Sequence, residues 1–132
     1  MSEGEIFMLR VLHVDDRHDF REAFKQNLYE RFPHMDIEEA ECADEALLKI
    51  KRTPPDLIFM DIRMPGMNGL QLTRKIKGEY PNTRIAILTS FDLPEYREAA
   101  IQYGADRFFV KSSLEWDEVV AFAKSIPVEG KF

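Results

Sequence analysis

Short apolar runs alternate with stretches of helical periodicity along the whole chain. Met8–Val14 forms a first apolar run with no turn residue and predicts a strand. Phe20, Phe24, Leu28 and Phe32 follow at helical spacing and predict a helix over Asp19–Phe32. Asp36–Cys42 reads as a second, weaker strand, with Ile37, Glu39 and Glu41 on one side. Ala43–Thr53 is a helix with Ala46, Leu47 and Ile50 on one face, stopped by Pro54-Pro55. Asp56–Met60 is a third strand, and Leu70–Gly78 a helix capped by the Asn68-Gly69 turn. Pro81-Asn82 punctuates before the strand Arg84–Leu88. Pro94–Tyr103 is a helix that Gly104 ends as C′ residue. Arg107–Val110 and Glu115–Ser125 supply the last strand and helix, and the tail from Ile126 is expected to fray.

Five strands, each followed by a helix, imply a parallel sheet covered on both faces, a doubly wound α/β fold. Right-handed crossovers constrain its connections. In such sheets ligands bind outside the carboxyl ends of the strands, at the topological switch point. That rule gathers polar residues that are remote in sequence. Asp15 and Asp16 end the first strand, Asp61 the third, Thr89 the fourth and Lys111 the fifth.

Three carboxylates at one sheet edge repel one another, and a divalent cation removes that penalty. Mg²⁺ takes hard oxygen donors in an octahedron and keeps several waters. Asp16 and Asp61 are candidate direct ligands, Asp15 a ligand through water, and the Arg63 main-chain carbonyl a further donor. A carboxylate can also attack phosphorus, giving an aspartyl-phosphate. Phosphoryl transfer asks the protein chiefly for positioning and charge neutralisation. The Lys111 ammonium and the Thr89 hydroxyl, beside the small Ser90, suit the remaining phosphoryl oxygens. Arg63 and Phe91, each two residues past a site residue, flank the path of a hydrolytic water.

Composition narrows the class. At 132 residues the chain is expected to form one domain, with its core over about 8–126 and short tails. A net charge of −6 argues against the chain itself gripping nucleic acid. No apolar stretch has membrane-spanning length and no signal-peptide pattern opens the chain. The single cysteine, Cys42, excludes an internal disulfide, fits a cytoplasmic location and reads as a buried structural thiol. His13, His18 and His34 have no ligand spacing and read as packed or exposed.

The pieces Val14-Asp-Asp16, Pro55–Gly69, Leu88-Thr-Ser90, Gly104-Ala-Asp106 and Lys111, in this order and spacing, resemble the receiver domain of two-component response regulators, the CheY-like family. The resemblance covers about residues 10–126. It implies a flavodoxin-like fold with strand order 2-1-3-4-5 and Mg²⁺ held by Asp15, Asp16 and Asp61. It implies that a histidine kinase or phosphotransfer protein phosphorylates Asp61, and that Thr89 and Lys111 carry the switch and the phosphate contact. The output would be altered binding to a downstream protein or homodimerisation, so the domain is a phosphoacceptor and no enzyme beyond its own phosphorylation and dephosphorylation. Two features depart from the family pattern. Ser112 follows Lys111 where the family usually has proline, and the aromatic switch position is Phe108, without the hydroxyl of the common tyrosine. The Leu88–Asp92 stretch and Lys111-Ser112 resemble the branch whose receivers precede a helix-turn-helix domain. The alternatives are a receiver-like interaction module independent of phosphorylation, and a Mg²⁺-dependent phosphohydrolase with an aspartyl nucleophile. The latter would want an Asp-x-Asp first strand and a cap, and neither is present in this sequence.

Overall fold

The computed structural model describes residues 8–128, so the expected tails at 1–7 and 129–132 lie outside the described residues. Strand β1 spans Leu9–Val14, β2 Met35–Ala40, β3 Leu57–Met60, β4 Arg84–Thr89 and β5 Arg107–Val110. Helices α1 (His18–Arg31), α2 (Ala43–Arg52), α3 (Gly69–Glu79), α4 (Pro94–Gln102) and α5 (Trp116–Ser125) connect and follow them. All pairings are parallel, in the order 2-1-3-4-5, as the resemblance implies.

Strand β3 is apolar throughout and β1 and β4 are mostly so, because both faces of the sheet are covered. One face packs Leu12, Val14, Ile58, Met60, Ile85 and Ile87 against α2, α3 and α4. The other packs Val11, Leu57, Phe59, Ala86 and Leu88 against α1 and α5. Local signals set several ends. Asn68 Oδ1 accepts from the Gln71 N–H at 2.9 Å and Gln71 Oε1 accepts from the Asn68 N–H at 3.2 Å, a capping box that starts α3. Gly104 adopts φ +93° after α4, and the bonds Gly104 N–H to Ile101 O and Ala105 N–H to Ala100 O close a Schellman motif.

Most predicted ends move by one or two residues. Two expectations fail in substance. β2 stops at Ala40, so Cys42 stands at the start of α2 and is half-buried, not enclosed. The tail does not fray at Ile126, which is 6% exposed, and Val128 also packs on the α1–α5 side of the core. Apolar side chains after a helix end can still reach the core, which helical periodicity does not register.

Candidate functional site

The site stands at the carboxyl edge of β1, β3, β4 and β5. Hydrogen bonds continue past the strand ends: Asp15 N–H donates to Ala40 O at 3.0 Å and Asp61 N–H to Val14 O at 2.9 Å. These bonds fix the backbone under both carboxylates. After Asp61 the chain turns back at once, and Gly69 N–H donates to Ile62 O at 2.7 Å. A Cβ on Gly69 would lie 1.8 Å from the Asp61 carbonyl oxygen, so only glycine allows α3 to start this close to β3.

Asp15, Asp16 and Asp61 each place a carboxylate oxygen within 4.8 Å of the others. Asp15 and Asp61 are buried and Asp16 is exposed, so the cluster opens to solvent on one side. Lys111 enters from the start of a 3₁₀ turn, Lys111–Ser113, after β5. Its Nζ donates to Asp15 Oδ2 at 2.7 Å, lies 3.5 Å from Asp61 Oδ2 and rests 4.1 Å from the centre of the Phe20 ring. The Lys111–Ser112 peptide is trans, as are the others described. The Arg17 N–H donates to Asp15 Oδ1 and the Ile62 N–H to Asp61 Oδ1.

Burial raises the Asp61 pKa above the usual carboxylate range, and the neighbouring charge of Asp15 raises it further. Lys111 and the Ile62 N–H oppose this without cancelling it. The donor set is therefore all hard oxygen, electron-rich and short of positive charge, which fits a small divalent cation.

Thr89 is fully buried at the end of β4, and its hydroxyl accepts the Phe91 N–H at 3.3 Å. Phe108 pairs with Ile87 on the adjacent strand, is half-buried, and lies under the Arg97 guanidinium at 4.6 Å. Arg63 and Phe91 meet over the rim: the guanidinium sits 3.8 Å above the ring and Nη2 donates to the Tyr96 hydroxyl at 3.2 Å.

Sequence reasoning missed Tyr96, Arg21 and the Arg21 partner Glu39 in this neighbourhood. Tyr96 braces Arg63 from α4. Arg21 is buried and its Nη1 donates to the Asp15 carbonyl, while its Nε donates to Glu39 Oε1. A signal for Arg21 was present, because positions 21, 24 and 28 share a helix face whose other two members are apolar. His13 is packed as expected, but against Phe20, Phe24 and Phe59 with neither ring nitrogen hydrogen-bonded. Burial first, then Lys111 and Arg21, push its pKa down to about 3. It is therefore neutral, and its 4.0 Å separation from Asp15 is not an ion pair.

The response regulator receiver domain family matches residues 11–122. The chain belongs to that family. Among its relatives, the transcriptional regulatory protein YxjL of Bacillus subtilis is 34% identical over 80% of this chain and 49% of its own length. The chain thus spans about half the length of the curated relatives it matches. A LuxR-family response regulator from Aurantimonas is 31% identical with a TM-score of 0.80, covering 90% of this chain and 87% of the other. TrrA from Thermotoga maritima, solved in complex with Mg²⁺ and BeF, is 35% identical with a TM-score of 0.78, covering 89% of this receiver and 98% of the other chain. No helix among the described residues is long and apolar enough to cross a membrane.

Proposed function

We propose that this receiver takes a phosphoryl group onto Asp61 from the phosphohistidine of a histidine kinase or phosphotransfer protein. The observation that carries the reading is the meeting, at one open sheet edge, of a carboxylate cluster and a lysine. Asp61 lies within 4.8 Å of Asp15 and Asp16 and 3.5 Å from Lys111. An Asp61 carboxylate oxygen attacks phosphorus. The P–N bond to the donor imidazole breaks, and the imidazole leaves with that electron pair. Asp15, Asp16 and Asp61, with the Arg63 main-chain carbonyl, would hold Mg²⁺, which supplies charge neutralisation for the phosphoryl oxygens. The Mg²⁺–BeF complex of TrrA supports the same chemistry here.

Lys111 now neutralises Asp15. On phosphorylation its ammonium turns to a phosphoryl oxygen. The Thr89 hydroxyl exchanges its Phe91 partner for another phosphoryl oxygen and draws the β4–α4 loop with it. Phe108 has no hydroxyl to hydrogen-bond, so packing and the Arg97 contact select its rotamer. The readout is binding of a downstream protein or a second copy on the face made by α4, β5 and α5, where Ile101 is 76% exposed. The described residues act as a single receiver unit, placed in the cytoplasm with its kinase.

Intact-mass spectrometry after incubation with acetyl phosphate and Mg²⁺ tests this, beside an Asp61→Ala control. The expected result is one adduct of about 80 Da, the mass of one added phosphoryl group, absent from the control and without Mg²⁺. Failure to load at short times and low temperature would leave an interaction module independent of phosphorylation.

A further inference from the structure

Arg21 is charged yet only 8% exposed. A guanidinium gives up its hydration only where its donors are met. Here Nε donates to Glu39 Oε1 at 2.8 Å and Nη1 to the Asp15 carbonyl at 2.6 Å. Glu39 is itself held: Lys25 Nζ lies 3.7 Å from its other oxygen, and Lys49 of α2 donates to its carbonyl. These contacts tie α1, α2 and β2 to one peptide group, the one joining Asp15 to Asp16. That peptide sets how the two carboxylates that follow β1 approach Asp61.

We infer that Arg21, clamped by Glu39, is a positioning residue for the divalent-cation site. The inference rests on the metal reading above. A small cation that demands near-ideal octahedral geometry tolerates little movement of its donors. Residues that orient ligands from behind commonly change metal affinity by about 10–100-fold when lost. The clamp also has an electrostatic side with the opposite sign. A cation this close to the cluster repels a second cation, so if Arg21 acted only through its field, removing it would tighten Mg²⁺ binding. Positioning predicts weakening.

The test is an NMR titration of the unphosphorylated 132-residue chain with Mg²⁺. It follows the amides of Asp16, Arg17, Ile62 and Arg63, with a thermal midpoint for each variant. Arg21→Met is expected to bind Mg²⁺ about tenfold more weakly or worse. Arg21→Lys, which keeps the charge but has a single donor nitrogen in place of the fork, should fall between parent and Arg21→Met. Glu39→Gln should weaken binding by a smaller factor. In acetyl-phosphate loading, Arg21→Lys should need more Mg²⁺ for half-saturation but reach the parent rate at saturation. Unchanged or tighter Mg²⁺ binding by Arg21→Met overturns the proposal. If Arg21→Met does not fold, parent-like affinity in both Arg21→Lys and Glu39→Gln overturns it. A parent chain that binds no Mg²⁺ sinks the metal reading itself, whereas a binding parent with indifferent variants sinks only the role of Arg21.

Discussion

Lys111 Nζ holds Asp15 at 2.7 Å and stands 0.8 Å farther, at 3.5 Å, from Asp61. In the unmodified chain the lysine thus does part of the work of a cation at the acidic cluster. Its side chain is 9% exposed and that of Asp15 is fully buried. Losing one member of such a pair leaves the other charge buried and unmatched, which typically costs about 3–5 kcal/mol. Lys111→Met should therefore lose about 3 kcal/mol of stability at neutral pH without metal. Millimolar Mg²⁺ should restore most of it, so the Mg²⁺-induced rise in Tm is larger in Lys111→Met than in the parent. Equal rises would show that the lysine does not share the cluster with the metal.

Asp61 carries a stability cost of its own. Its pKa is higher in the fold than in the unfolded chain, because burial and Asp15 disfavour the charged form. Between those two pKa values the folded state binds more protons than the unfolded state, so stability falls as pH rises through that interval and stays lower at neutral pH. Asp61→Asn is uncharged at every pH. It should raise Tm at neutral pH, and the gain should fade as pH drops into the carboxylate range. The same variant should give a smaller Tm response to Mg²⁺. Thermal unfolding across pH, with and without the metal, checks both expectations. A lower Tm at neutral pH in Asp61→Asn would contradict the assigned cause.

Strand-end chemistry was legible because the signal is local. Asp61 ends an apolar run that a parallel sheet buries on both faces, and Thr89 and Lys111 end two more. One topological rule then brings them together. Arg21, Glu39 and Tyr96 were not legible in the same way. Each acts through a partner 6 to 33 positions away, Asp15 and Glu39 for Arg21 and Arg63 for Tyr96, and no run or turn marks those pairs. The chain shows His13 inside a strand but not that both its nitrogens lack partners. Cys42 was misplaced because propensity does not register that β2 ends at Ala40, where α2 must turn away.

Gly69 shows how closely β3 and α3 are fitted. An added methyl would meet backbone at 1.8 Å, and backbone cannot step aside as a flexible side chain can. Overpacking of this kind commonly costs about 1–3 kcal/mol, occasionally more. Gly69→Ala should lose about 3 kcal/mol in denaturant unfolding and load phosphoryl groups slowly even at saturating Mg²⁺, because Asp61 must shift with its carbonyl. A fully active, equally stable Gly69→Ala chain would refute this account of the turn.

The Arg63–Phe91 contact over the rim should govern how long an aspartyl-phosphate survives. The guanidinium lies 3.8 Å above the ring and is braced by the Tyr96 hydroxyl. An exposed cation–π contact is worth about 0.5–1 kcal/mol. If water reaches the site only when the contact opens, its loss raises the open population, and the hydrolysis rate, about two- to fivefold. Arg63→Ala and Phe91→Ala should each shorten the phosphate lifetime by that factor, and the double variant should add little. Lifetimes equal to the parent would exclude the contact as a barrier to water.

His13 should make the fold sensitive to acid well above the range where carboxylates titrate. The imidazole is buried among Phe20, Phe24 and Phe59, and its pKa falls from 6.5 to about 3. Between those values the unfolded chain binds a proton that the folded chain refuses, so stability is full above the unfolded pKa and declines as pH falls. One pKa unit corresponds to 1.36 kcal/mol, so at pH 5 the loss relative to neutral pH is about 2 kcal/mol. His13→Leu cannot take up that proton, and its unfolding free energy should be flatter between pH 7 and pH 5. Parallel pH profiles for parent and His13→Leu would show that the imidazole finds a partner in solution. At neutral pH, removing two unbonded ring nitrogens from the core should leave His13→Leu at least as stable as the parent, because a buried polar group without a partner costs about 1–3 kcal/mol.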